Sequence, residues 1–221
     1  MVAAIDGPAG VGKSTVARRS AEAAGLLYVN SGSFYRAITF AVLEAGEPPQ
    51  DNDRVLAVAR ASRLEMRGSC LTLNGRPIED LLHTDAVDEW VALHSAIPEV
   101  RKIVNERLRR IAEGRDVLVE GRDIGTVVFP QAEVKIFLDA DVATRAARRH
   151  AQGVSRLPLP QVQKSIAARD SVDRNKPTGR LQAAPDAIRI DSSHLTIDEV
   201  CDRVIEAILV KQNNPGDIRR L

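Results

Sequence analysis

Cysteine is scarce: Cys70 and Cys201 are the only two in 221 residues, and they lie far apart. They form neither a metal-ligand pair nor a disulfide framework, so a reduced cytoplasmic setting is expected. Aromatics are also few, with four Phe, two Tyr and one Trp, which argues against base-stacking platforms for single strands. An excess of one charge is missing too, since 31 Lys+Arg offset 30 Asp+Glu. A generic nucleic-acid binder carries a basic surplus, so no nucleic-acid partner is expected. No apolar run approaches membrane-spanning length. The opening MVAAIDGPAG lacks the charged leader and apolar core of a signal peptide. No membrane partner is expected. The four histidines show no ligand spacing, and solvated or capping roles are expected for each. No long apolar face is left unsatisfied, so a monomer is expected.

What remains is ordinary globular composition, 44 % hydrophobic and 28 % charged. The length suits one α/β domain with a small insertion, or two small domains. Short apolar runs at Val2–Ile5, Leu26–Val29, Asp116–Glu120, Val134–Leu138 and Ala187–Ile190 read as buried strands. Helical stretches lie between them, at about Lys13–Ala24, Ser33–Ala45, Asp51–Ser62, Pro98–Gly114, Val142–Gln152, Pro160–Asp170 and Thr196–Val210. Strands separated by helices imply right-handed crossovers and a parallel sheet covered on both faces. Residues 63–95 differ in texture. Leu64, Met66, Leu71 and Leu73 alternate with polar residues, Asn74-Gly75 signals a tight turn, and a short helix follows near Thr84–Leu93. This stretch reads as a small inserted α+β element within a core of residues 1–62 and 96–221.

Residues 7–14, Gly-Pro-Ala-Gly-Val-Gly-Lys-Ser, fit the phosphate-loop pattern, with a strand before and a helix after. Gly7, Gly10 and Gly12 let backbone wrap oxygen atoms without Cβ clashes. Amides from Gly10 to Ser14 and the helix N-terminus supply positive potential. Lys13 can bridge the β- and γ-phosphates, and the Ser14 hydroxyl can ligate Mg²⁺. The loop gives a nucleoside triphosphate but no reaction. A GTPase would read guanine with Asn-Lys-x-Asp, yet Asn175-Lys176 runs into Pro177-Thr178. A motor ATPase needs an apolar strand ending in acidic residues, which Val117–Glu120 matches only in part. A small kinase fits better, because cations that could clamp two phosphorylated substrates are present. They are Arg36 after the turn Asn30-Ser31-Gly32, Arg101 early in its helix, and Arg122 past a strand end. Arg145, Arg148 and Arg149 lie on or beside one helical face, and Arg169 and Arg174 flank the end of the next helix.

Several blocks resemble the bacterial cytidylate kinase family, and the resemblance covers nearly the whole chain. They are DGPAGVGKST in the loop, SGSFYRA at 31–37, IPEVR at 97–101, EGRDIGTVVFP at 120–130, VKIFLDA at 134–140, RDSVDRN at 169–175 and the closing DAIRIDSSHLTIDEV. The resemblance implies a P-loop kinase core, a five-stranded parallel sheet wrapped by helices. It also implies a monophosphate-binding region enlarged by the 63–95 insertion, and a short lid at about 150–160. The implied activity transfers phosphate from ATP, with Mg²⁺, to CMP or dCMP in pyrimidine nucleotide metabolism.

Residue by residue, the resemblance places Gly7, Pro8, Ala9, Gly10, Val11, Gly12, Lys13, Ser14 and Thr15 around the triphosphate. Arg145, Arg148 and Arg149 open the lid over it. Ser31, Arg36 and Arg122 match positions that hold the acceptor phosphate. Arg101 and Asp123 match positions that read the base, Asp173 the sugar, and Arg169 the sugar and phosphates. A carboxylate at Asp123 would accept from cytosine N4, and Arg101 would donate to N3 and O2. Uracil reverses the pattern at N3 and position 4. Lys13, Arg122 and Arg148 are the expected catalytic groups. At two places the chain departs from the family pattern: Ala92 stands where a serine is usual, and Lys176 stands for an arginine, keeping charge without the fork geometry. The competing readings are a UMP/CMP or other small-molecule P-loop kinase, and an ATP-binding regulator that transfers nothing.

Overall fold

The computed structural model describes residues 1–151, 157–176 and 178–214. Residues 152–156 of the lid expected at about 150–160, Pro177 and the tail past Asn214 lie outside the described residues. In chain order the chain forms β1 (Val2–Asp6), α1 (Lys13–Ala24), β2 (Leu27–Asn30), α2 (Ser31–Glu44) and α3 (Asn52–Ala61). Then come β3 (Leu64–Arg67), β4 (Cys70–Leu73), β5 (Arg76–Pro77), α4 (Asp85–His94) and α5 (Pro98–Ala112). β6 (Val117–Gly121), β7 (Val134–Asp139), α6 (Val142–Ala151), α7 (Leu159–Asn175), β8 (Ile188–Asp191) and α8 (Ile197–Asn213) complete it.

Two compact units divide the chain: Met1–Tyr28 with Asp116–Leu221, and Val29–Arg115. The first is built on the five-stranded parallel sheet, in the order β2-β6-β1-β7-β8. Side chains alternate across a strand, so β7 sends Val134, Ile136 and Leu138 to one face. There they pack with Val16 and Ala17 of α1 and Val200, Val204 and Ile208 of α8. Each Val, Leu or Ile among them taken from water stabilises the fold by about 1.5–3 kcal/mol. Lys135 points to the other face and is 9 % exposed. Its ammonium donates to Pro130 O at 2.6 Å and to Asp186 at 2.8 Å, which offsets its burial. α8 begins with a capping box in which Thr196 and Glu199 exchange hydrogen bonds, satisfying two orphan amides.

The second unit packs α2 against α3 and α4. Asp51 caps α3, accepting from the amides of Asp53 and Arg54. Residues 63–95 carry the three-stranded antiparallel sheet β3-β4-β5, a 3-10 turn at Glu79–Leu81, and α4. Asn74 and Gly75 both take positive φ and turn β4 into β5.

The structure corrects the sequence reading at several points. α2 starts at Ser31 rather than Ser33, because the Asn30 side chain accepts from the Gly32 amide and caps it. The residues read as a turn are therefore the cap and first turn of a helix. α7 continues five residues past Asp170, which puts Arg169 and Arg174 inside the helix. Its buried face switches from Val162 and Ile166 to Asp170 and Asp173, so no apolar stripe marks the extension. A π turn at Ile124–Val128 was not foreseen. His94 is neither solvated nor a cap. It is fully buried, with Nδ1 2.9 Å from Thr39 Oγ1 and Nε2 2.8 Å from Pro49 O. Pro49 O only accepts, so Nε2 carries the proton and donates to it. Burial pushes the imidazole below its usual range. That ring pins α4, α2 and the Pro48-Pro49 breaker together.

Candidate active site

In the first unit the phosphate loop runs from β1 into α1. Gly7 is required by close approach, since a Cβ there would run into the Leu138 carbonyl of β7. Gly12 sits at the N-cap of α1 with φ 96°, and no side chain caps that helix. Its first-turn amides are thus left to an anion. Lys13 is 6 % exposed, and its Nζ donates to Pro8 O at 2.7 Å. Burial and the Arg122 charge push this ammonium well below its ordinary range, while Glu120 and Asp6 pull it back. Ser14 and Thr15 are exposed at the start of α1. Tyr28 donates to the buried Glu120, and Ser14 hydrogen-bonds the same phenol. Burial, then the Glu120 charge, holds the phenol above its normal range.

β1 and β6 are neighbours, and Asp6 lies in register with Gly121. The loop from Gly7 and the segment from Arg122 therefore leave the same end of the sheet. Arg122 Nε reaches Asp173 Oδ2 at 3.2 Å, and Lys176 Nζ reaches Asp173 Oδ1 at 2.7 Å. Burial raises the Asp173 carboxyl, but Lys176 and Arg122 outweigh it and leave the group below the carboxylate range. Lys176, at the position where an arginine was expected, thus pairs with Asp173 as a point charge. Arg180 adds a bond from Nε to Lys176 O at 2.9 Å. Asp123 is 5 % exposed, and Arg169 stands close enough to Lys13 for its charge to depress it.

The three arginines of α6 part company. Arg145 is 2 % exposed and spends its guanidinium on protein. It donates to Ala140 O at 2.9 Å, to Ala9 O of the phosphate loop at 3.1 Å, and to Asp170 at 2.5 Å. Arg148 donates to Ser192 O at 2.7 Å, Ser192 Oγ at 3.1 Å and Leu195 O at 3.4 Å. Arg149 is half-buried beside it.

In the second unit Ser31 is buried at the start of α2. Arg36 pairs with Asp88 at 2.6 Å and donates to Leu82 O at 3.0 Å. Arg101, 8 % exposed, lies 5.5 Å from the Tyr35 ring centroid and donates to Ser95 O at 3.2 Å. The Ser95 carbonyl thus contacts Arg101, in the region where Ala92 replaces the usual serine. Two residues at the centre of the first unit were missed from the sequence. Asp6 closes a buried strand directly before the loop, and that placement was its only local signal. Tyr28 stood out only as a rare aromatic.

A phosphate loop on a parallel sheet, with cations at the adjoining strand end, defines a P-loop nucleotide-binding protein of the kinase fold. Solved structures share that fold. TT1252 from Thermus thermophilus aligns with a TM-score of 0.51 at 19 % identity, covering 96 % of this chain and 97 % of that one. A shikimate kinase from Bacteroides thetaiotaomicron aligns at 0.50 and 10 % identity, over 96 % and 98 %. The family model for cytidylate kinase matches residues 3–210, and the chain belongs to that family. It is similar to the cytidylate kinase of Caldanaerobacter subterraneus subsp. tengcongensis, 41 % identical over 218 residues, 97 % of this chain and 96 % of that one. The cytidylate kinase of Geobacillus kaustophilus is also 41 % identical, over 212 residues, 93 % and 95 %. No helix among the described residues is long and apolar enough to cross a membrane.

Proposed function

We propose that this chain transfers the γ-phosphate of ATP to CMP or dCMP, giving CDP or dCDP and ADP. The carrying observation is the shared end of β1 and β6, where the phosphate loop with Lys13 and the Arg122-Asp123 pair leave adjacent strands. In this reading Arg122, Arg36 and Ser31 hold the acceptor phosphate, Arg101 and Asp123 read cytosine, and Asp173, Arg169 and Lys176 serve the sugar and phosphates. Arg148 and Arg149 would serve the triphosphate in this reading, while Arg145 acts through the phosphate loop by holding Ala9 O. The acceptor oxygen is already ionised near neutral pH, so no general base is required. Catalysis is positioning and charge neutralisation.

Mg²⁺ fits this chemistry. Among the described residues no cluster of three or more His, Cys, Asp or Glu could hold a metal. An ion bound mainly through substrate phosphates needs few protein ligands, and the exposed Ser14 hydroxyl at the start of α1 would be one. When bound, the ion neutralises charge on the phosphate oxygens. A cytoplasmic monomer acting on small nucleotides belongs to the same reading.

The test is an acceptor panel of AMP, GMP, UMP, CMP and dCMP with ATP, read by ADP release. CMP and dCMP turn over fastest. ATP binding without CMP-dependent ADP release would leave the non-transferring regulator as the better reading. Asp123→Ala narrows the CMP/UMP ratio of kcat/KM roughly tenfold, because the lost acceptor is worth about 1–3 kcal/mol. An unchanged ratio removes Asp123 from base reading.

A further inference from the structure

The π turn at Ile124–Val128 begins, like any helical turn, with amides that have no partner inside the turn. An aspartate at its N-cap position would ordinarily accept from them. Asp123 occupies that position, yet its side chain makes no cap hydrogen bond. Asp6 supplies the cap instead, from 118 residues earlier in the chain. Its Oδ1 accepts from the Ile124 amide at 2.8 Å and its Oδ2 from the Gly125 amide at 2.7 Å. The residue is 4 % exposed.

From this geometry we propose that Asp6 is a positioning residue for the acceptor nucleotide: one carboxylate at the root of the phosphate loop fixes where Arg122 and Asp123 stand. The proposal rests on the reading that Arg122 holds the acceptor phosphate and Asp123 reads its base. A purely structural cap would ordinarily come from the residue at the N-cap position itself, here Asp123. Capping from Asp6 relieves that carboxylate of the cap, and it ties the acceptor segment to the residue directly before Gly7. π turns inside proteins gather at functional sites, and this one follows immediately on the Arg122-Asp123 pair. The arrangement is costly. Burial pushes the Asp6 carboxyl up to about 6, the two amides pull it down, the Asp123 charge raises it further, and Lys13 opposes. An ionised carboxylate is the form that accepts two amides at once, one per oxygen.

The space around the contact is closed. A Cβ on Gly125 would lie 3.3 Å from Cγ and Cδ of Lys135 and 3.4 Å from Asp6 Oδ2. Lys135 is itself anchored by Pro130 O and Asp186, so its chain yields little. A methyl at Gly125 is therefore tight against the Lys135 chain and lies in contact with the same Asp6 oxygen that accepts the Gly125 amide.

Asp6→Asn is isosteric but can accept only one amide, and it turns an NH₂ toward the other. We expect the CMP KM to rise and the CMP kcat/KM to fall about tenfold or more, as misplacement of about 1 Å can cost 10²-fold. The ATP KM stays within about twofold, and the CMP/UMP ratio narrows. A residue that merely stabilised the fold would move both substrates alike. In an Asp123→Ala background, Asp6→Asn narrows the ratio no further. Gly125→Ala shifts the same parameters in the same direction by less, and carries the test if Asp6→Asn does not fold. A folded Asp6→Asn enzyme with unchanged CMP KM and CMP/UMP ratio overturns the proposal, as does an ATP KM that rises in parallel. If Asp123→Ala itself leaves the ratio unchanged, base reading by Asp123 is what fails, and the role of Asp6 is judged on the CMP KM through Arg122.

Discussion

Replacing Lys13 with alanine abolishes most of the turnover, by roughly 10²–10³-fold or more, while the fold survives. The cause is electrostatic. Phosphoryl transfer spreads charge over oxygens that the protein can stabilise only with groups already in place. Lys13 is such a group: buried, anchored on Pro8 O at 2.7 Å, and within reach of the charges of Arg122, Glu120 and Asp6. In a site that excludes water the lost charge is not replaced by solvent. Lys13→Met, closer in volume, separates packing from charge and falls as far. CMP-dependent ADP release measures the loss, with circular dichroism and a melting curve confirming the fold. A folded variant with near wild-type rate would remove the phosphate loop from catalysis.

The second large effect is on stability. Arg145→Ala costs about 3–5 kcal/mol, because it strands the buried Asp170 carboxylate without its cation. The side chains are 2 % and 9 % exposed, so water cannot take over the pairing. Asp170 Oδ1 already has no partner among the described residues, which leaves the Oδ2 contact with Arg145 to compensate the charge. The carbonyls of Ala140 and Ala9 lose their guanidinium donor in the same substitution. A chain of this size should melt roughly 6–20 °C lower. The double variant Arg145→Met with Asp170→Leu recovers much of the loss, since apolar replacement of a buried pair is often neutral. Denaturant and thermal unfolding read both variants. A loss below about 1 kcal/mol for Arg145→Ala would show that this pair does not hold α6 to α7.

Much of this was legible in the sequence where the signal was local. The helix expected at about Lys13–Ala24 runs over those residues, because a glycine loop precedes it and Gly25 ends it. Asp51 was read as a cap, and Asn74-Gly75 as a turn, from side-chain and φ preferences that act over two or three residues. The parallel sheet followed from apolar runs separated by helices. Legibility failed where distant polar groups replaced apolar ones. The last part of α7 buries Asp170 and Asp173, whose partners Arg145, Arg122 and Lys176 include residues dozens of positions away. His94 sits in the core because Thr39 and Pro49 satisfy its two nitrogens. Asp6 meets Ile124 and Gly125 only once β1 lies beside β6. A one-dimensional pattern carries no trace of such pairings.

The buried carboxylate of Asp6 sets endurance against activity along the pH axis. Its folded pKa of about 6 lies above the ordinary value of 3.8, so the native state binds this proton more tightly than the unfolded chain does. The stabilisation that follows is complete below about 3.8 and disappears as pH climbs through about 6. Scanning unfolding free energy against pH should show wild type losing ground to Asp6→Asn across that window. The form that grips both amides is the ionised one, which prevails only above it. Acidification would thus strengthen the contribution of this one carboxyl to stability and, in the same range, slacken the grip proposed to seat the acceptor.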